Sequence, residues 1–202
     1  MTSRVSYSMV QMSGLIQRFD QYGIKGRGAL ANAMNRGNTY SRNLGVNEIK
    51  KSVNLDESFI KTKLKALKRA SPQKLRTEIG TPSRGVLLTR YPHTKVDKGY
   101  NVRVKRGGGG TDITGAFRMK LRGTGGKYGL GIRSGVAARM RGSFKSQTFA
   151  RIQAMNRRTR GRGVWMMYSM SVGQMFKLLR DDVSQPTIGF IRQEFLKNLR
   201  DL

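Results

Sequence analysis

Near the N-terminus, apolar residues recur at helical spacing. Val5, Met9, Met12, Ile16 and Phe19 step by four, three, four and three positions, which predicts one apolar stripe on a helix over residues 3–20. Gly14 weakens that helix, and "YGIKGRG" (22–28) ends it. A second helix is expected over 29–44, with Leu30, Ala33, Gly37, Tyr40 and Leu44 on one face and Gly45 as its break. A third opens after Asn54 or Leu55. Its acids come first and its Lys/Arg last, as the helix dipole prefers. Phe59, Ile60, Leu64 and Leu67 form its apolar face, and Ser71-Pro72 stops it.

The period then falls to two. "KLRTEIG" (74–80), "RGVLLTRY" (84–91), "YNVRVKR" (100–106), "GAFRMKL" (115–121) and "KYGLGIR" (127–133) are short alternating runs separated by Pro and Gly clusters. They predict a small antiparallel or mixed sheet, with a flexible hairpin tip at Gly107–Asp112. Residues 134–163 lose the periodicity and read as a long basic arm. "VWMMYSM" (164–170) is a last strand. "SQPTIGFIRQEFLKNLRDL" (184–202) is an amphipathic C-terminal helix with Pro186 in its first turn.

The expected class is therefore α+β. Residues 1–133 supply the N-terminal helices and the sheet, 134–163 the arm, and 164–202 the strand and helix that complete the same domain. The helices are expected on one face of the sheet.

Composition adds the partner class. The chain has 202 residues, with 40 Lys/Arg against 11 Asp/Glu and a formal charge of +29. Such a balance makes the chain repel itself and attract polyanions: nucleic acid, an anionic membrane or an acidic protein. Between Arg103 and Arg162 there are 16 Lys/Arg and one acid, Asp112. A run of charge is ordinarily a solvated face, but here opposite charges are absent, so anions from outside the monomer are expected. The sheet's candidate contacts are Arg103, Lys105, Arg106, Arg118, Lys120, Arg122, Lys127 and Arg133. The arm's are Arg139, Arg141, Lys145, Arg151, Arg157, Arg158, Arg160 and Arg162. On the strand 115–121, Arg118 and Lys120 share one parity and Phe117 and Met119 the other, so the basic side should face away from the core. A charge at Phe117 should then harm folding. Arg118→Glu should leave the monomer folded and weaken assembly.

Catalytic signatures are absent. There is no Cys and one His, His93, which reads as a solvated loop residue. "GGKYG" has Tyr128 where a phosphate loop needs a small hydroxyl residue. "GRGALA" follows a helix rather than a strand, so the dinucleotide-binding context is missing. The adjacent acids Asp56-Glu57 and Asp181-Asp182 read as helix-end compensation rather than a metal-binding pair. No enzyme activity, cofactor or metal is expected. No apolar run reaches the length of a membrane span, and the first residues lack the apolar core of a signal peptide.

Two local patterns resemble a known family. The A-x-A-x-N-R run (Ala31, Ala33, Asn35, Arg36), and "GAF" (Gly115, Ala116, Phe117) followed by a basic hairpin, are similar to the minor tail protein Z family of tailed bacteriophages. The resemblance covers most of 1–133 and, more loosely, 164–202. The basic stretch 134–163 departs from the family pattern. The resemblance implies a non-enzymatic virion protein, assembled in the host cytoplasm and completing the tail at the head–tail junction. It implies a homo-oligomeric ring, six- or twelve-fold, docked to portal, adaptor and tail proteins around packaged DNA that is held without sequence reading. The tip 106–111 and the arm would extend toward that DNA or a neighbouring ring. The rival from composition alone is a ribosomal or other structured-RNA-binding protein, which the high pI and the "RRTRGRG" segment also suit.

Overall fold

The computed structural model describes residues 2–7, 23–120, 128–133, 151–154 and 164–201. The chain is α+β. In order it forms β1 (Thr2–Tyr7), α1 (Gly23–Ser52), α2 (Glu57–Lys63), β2 (Lys65–Lys68), β3 (Thr77–Pro82) and β4 (Val86–Leu87). A 3-10 turn (Leu88–Arg90) follows, then β5 (His93–Val96), β6 (Gly99–Val102), β7 (Thr111–Thr114) and β8 (Ala116–Lys120). The last elements are β9 (Tyr128–Arg133), β10 (Arg151–Ala154), β11 (Val164–Ser169), α3 (Val172–Leu178) and α4 (Arg180–Arg200). The expected single sheet is instead three, ordered β1-β3-β2, β10-β11-β9-β8 with β4 on β11, and β5-β6-β7. All the pairings are antiparallel.

Two compact units divide the chain. The first comprises 1–49, 57–83 and 172–202, and the second 50–56 and 84–171. The stretches 1–133 and 164–202 thus each contribute to both units.

In the first unit, α1 runs about 45 Å at 1.5 Å per residue, from Gly23 to Ser52, well past the expected bounds of 29–44. Gly45 does not break it. A methyl group at Gly45 would lie 2.3 Å from the Phe176 ring of α3, and one at Gly37 would lie 2.2 Å from the Ile191 side chain of α4. These glycines are contact points where other helices approach closely, so burial offsets their poor helix propensity. Ala29, Leu30, Ala31, Ala33 and Met34 pack with Ala70, Ile191 and Phe195. Gly45→Ala should lower stability by about 1–2 kcal/mol, because overpacking costs more than the helix propensity alanine gains. Urea unfolding of Gly45→Ala, with and without Phe176→Leu to make room, checks this. Failure of Phe176→Leu to recover stability would place the cost elsewhere.

The predicted helix over 3–20 is corrected at its start. Residues 2–7 form a strand, with Val5 opposite Ile79 and Tyr7 opposite Thr77. Thr2, Ser3, Val5 and Ser6 are poor helix formers, and pairing with β3 satisfies their backbone. The rest of that expectation, residues 8–20, lies outside the described residues.

The third predicted helix is cut to Glu57–Lys63, and the chain turns into strand β2. The register slips between Ala66 and Lys68, and a methyl group at Gly80 would meet Leu67 at 2.4 Å, so the bulge lays Leu67 over a glycine rather than into a helix face. Leu67 stays 45% exposed.

The predicted C-terminal helix starts earlier, at Arg180, so Pro186 lies in its interior. Asp181 and Asp182 take the first turn, as the dipole favours. Pro186 is exposed, so water can satisfy the carbonyl it leaves unpaired. The helix α3 was not foreseen.

The α1 residues Ala31, Ala33, Asn35 and Arg36 all make contacts within this unit. Ala31 and Ala33 are core. Asn35 Nδ2 donates to the Ala70 carbonyl at 3.0 Å, and the Ala70 N–H donates to Asn35 Oδ1 at 2.8 Å. Arg36 pairs with Glu194 of α4 at 2.5 Å.

In the second unit, Met166 and Tyr168 of β11 form a core patch, with Leu87 and Met119 against it. The expected strand 84–91 shrinks to Val86–Leu87 and gives way to the 3-10 turn, whose Leu88 carbonyl accepts the Tyr91 N–H at 3.1 Å. That turn buries Leu88 and Tyr91 together, which continued alternation could not do. His93 is not a loop residue. It opens β5, half-buried, with Nδ1 2.8 Å from the Tyr91 carbonyl. The predicted flexible tip narrows, because Thr111–Thr114 is a strand paired with β6. Within the predicted arm, residues 151–154 form a strand paired with β11. The rest of 134–163 lies outside the described residues.

Candidate polyanion-binding site

Charge is unevenly shared. The second unit holds 22 Lys/Arg against three acids, the first 18 against eight. Self-repulsion is therefore concentrated in the second unit, whose three acids are Asp56, Asp97 and Asp112.

The first group of cations follows β6. Asn54 fixes the backbone there. Its N–H donates to the Val104 carbonyl at 2.9 Å. Its Nδ2 donates to the carbonyls of Lys105 at 2.7 Å and Arg103 at 3.3 Å. Val104 is buried, and Arg103 and Lys105 are exposed on either side of it, as extended backbone dictates. Arg106 also makes contacts the sequence does not foretell. Its Nη1 donates to the Lys50 carbonyl at 3.0 Å, and its N–H donates to the Ser52 carbonyl at 3.1 Å. Its charge thus compensates the C-terminal end of α1, while the side chain stays exposed.

The second group lies on β8. Arg118 and Lys120 are exposed, while Phe117 and Met119 are half-buried. The expected outward direction of the basic side holds. Ala116 shares their parity yet is buried, because the strand enters the core at its Gly115 end. Phe117 is not a core anchor. With Lys95, Asp97, Lys98, Tyr100 and Arg118 it lines a cleft of about 610 Å³.

Of the other predicted contacts, Arg133 ends β9 opposite Val164, and Arg151 opens β10 opposite Tyr168. Arg122, Lys127, Arg139, Arg141, Lys145, Arg157, Arg158, Arg160 and Arg162 lie outside the described residues.

The sequence reading missed Lys95 and Lys98, which sit on and beside the β5–β6 hairpin. Their signal was a second basic alternation, "HTKVDKGY" (93–100), directly before the glycine-rich stretch. It also missed Arg84, which lies over the Tyr168 ring at 5.7 Å and donates to its hydroxyl at 3.2 Å.

One titration is displaced. The Tyr91 hydroxyl is buried and shares a 2.5 Å hydrogen bond with Ser169 Oγ. Burial pushes its pKa up to about 12, and the Ser169 bond partly opposes that rise. A raised folded-state pKa means that this stability is complete below the unfolded value near 10 and is lost as pH climbs from there through about 12. Two pKa units correspond to about 3 kcal/mol. Tyr91→Phe should flatten this alkaline loss, read as the difference between parent and variant in urea midpoints from pH 9.5 to 11.5. Parallel profiles would show that Tyr91 does not contribute.

Among the described residues, no group of three or more His, Cys, Asp or Glu is placed to hold a metal ion. No helix among them is long and apolar enough to cross a membrane. No protein-family model, curated protein or solved structure matches the chain.

Proposed function

We propose that this protein is a structural component of a tailed-bacteriophage virion, a tail completion or connector subunit at the head–tail junction. It assembles into a ring and docks by charge against the acidic surfaces of portal, adaptor or tail proteins and, without sequence reading, against packaged DNA. It performs no chemistry. The observation that carries the reading is the 22-to-three charge imbalance of the second unit, in which Lys95, Arg103, Lys105, Arg118 and Lys120 lie exposed. With 22 cations the second unit carries far more positive charge than its three acids can balance, and an assembly around DNA supplies the rest.

Sheet edges support assembly. The strand β8 lies at the edge of its sheet, where a neighbouring copy could pair with it. By contrast, β2 is an edge strand with all four residues exposed and lysines at both ends, a pattern that discourages pairing. The resemblance to tail protein Z rests on Ala31, Ala33, Asn35 and Arg36 and on Gly115, Ala116 and Phe117.

The test is light scattering of the purified protein, with absorbance at two wavelengths for nucleic-acid content, in low and high salt. Discrete rings free of RNA support the connector reading. A monomer carrying RNA that salt strips away overturns it in favour of a structured-RNA-binding protein.

A further inference from the structure

The cleft between the β5–β6 hairpin and the start of β8 gathers residues that are distant in sequence. Lys95 and Tyr100 are directly opposite in the ladder. The Lys98 carbonyl accepts the N–H of Gly115 at 2.6 Å, which ties the hairpin turn to the corner that leads into β8. Phe117 and Arg118 close the far side.

Two glycines set the backbone of this floor. Gly99 has φ +152°, and a methyl group there would lie 2.0 Å from the Ile113 carbonyl oxygen. Gly115 has φ +74°, a left-handed turn that favours glycine. The Tyr100 ring is braced by His93, with ring centroids 5.9 Å apart. The result is two aromatic residues, two lysines and Asp97 around an open concavity.

We infer that this cleft is a binding site for single-stranded nucleic acid, with Tyr100 and Phe117 as stacking surfaces for one or two bases and Lys95 and Lys98 as contacts to the flanking phosphates. The inference stands on the second unit alone and does not require the ring.

Chemistry selects this occupant over two others. A duplex presents only phosphates and stacked bases to such a concavity, and the volume, about 610 Å³, is in the range of sites for small ligands. It suits a nucleotide or two, and the rings are then used as stacking platforms. An acidic peptide would engage the lysines but leave both rings without a partner. It would also place carboxylates beside Asp97, whereas a base amino group can donate to that side chain. The clustering of rings and cations is itself the pattern of sequence-tolerant single-strand binding.

The experiment is fluorescence anisotropy with the full chain and three labelled probes: a twelve-residue oligothymidylate, a duplex of the same length and an oligoglutamate peptide. The salt concentration is varied. The expected result is that Phe117→Leu weakens the oligothymidylate about tenfold, the scale of losing one stacked base, and leaves duplex affinity unchanged. Lys95→Ala/Lys98→Ala should lower the oligothymidylate salt slope by about 1.4, two contacts at 0.7 each. Tyr100→Leu gives a second stacking variant, and thermal melts confirm that each variant folds. If Phe117→Leu and Tyr100→Leu both fold and bind oligothymidylate as the parent does, the inference is overturned. The same holds if they weaken duplex and single strand alike. Preferential binding of oligoglutamate would reassign the cleft to an acidic protein partner. Normal rings with no single-strand preference would remove only the cleft's role. Stacking by a chain that never assembles would remove only the ring.

Discussion

Replacing Lys68 and Arg76 together by alanine should destabilise the protein by about 3 kcal/mol, the low end of the cost of stranding a buried charge. The Glu78 side chain is 1% exposed. Its Oε1 accepts from Arg76 Nη2 at 2.8 Å and from Lys68 Nζ at 3.3 Å, while Oε2 has no hydrogen-bond partner. The two cations are about half exposed, at 50% and 48%, so solvent screens their attraction and the lower figure applies. Without them the carboxylate stays out of water with no compensating charge. Glu78→Leu removes the charge and its desolvation together, so it should cost less than about 1 kcal/mol. Urea midpoints of the three proteins decide the matter. A Lys68→Ala/Arg76→Ala protein as stable as the parent would mean that Glu78 gains nothing from either partner.

Reversing two charges on β8 should have the largest effect on binding. Arg118→Glu/Lys120→Glu should lower affinity for duplex DNA about a hundredfold near physiological salt and reduce the salt slope by about 1.8, since two phosphate contacts are lost and two repulsions added. Both side chains are exposed, so the melting temperature should barely move, as is usual for surface substitutions. An unchanged salt slope would show that β8 does not face the polyanion, and the docking surface would then have to be sought on other cations of the second unit.

Sequence periodicity read some elements closely. The strands at 116–120, 128–133 and 164–169 fall within the predicted runs; on 116–120 a half-buried antiparallel strand leaves an alternation that local sequence preserves, whereas Met166 to Ser169 are buried in succession and read as a strand only as a short apolar run. The same logic gave the outward direction of Arg118 and Lys120. It failed where one residue type has two uses. Gly45 read as a helix break and is a helix–helix contact, a distinction that depends on the Phe176 ring from α3. Leu64 and Leu67 continued a helical stripe on paper, but β3 offered an open edge, and the chain paired with it instead. Val5 belonged to a plausible helical stripe for the same reason and was claimed by the other edge of β3.

The candidate site divides along the same line. Lysines and arginines between 103 and 162 were visible as an uncompensated charge run, since net charge is a property of composition and survives any folding. The contact of Arg106 with the helix end at Lys50 had no signal in the sequence, because nothing local marks which distant carbonyl a guanidinium will reach. Lys95, Lys98, Tyr100 and Phe117 gave no joint signal, because their convergence depends on the β5–β6 hairpin meeting the start of β8 at Gly115. The sequence by itself determined the α+β class, the absence of cysteine chemistry and the strong positive charge, all of which follow from composition and short-range periodicity. Tertiary structure alone decided the two units, the fate of each glycine and the shape of the cleft, because these depend on which distant segments meet, and long-range pairing leaves no periodic trace in either partner.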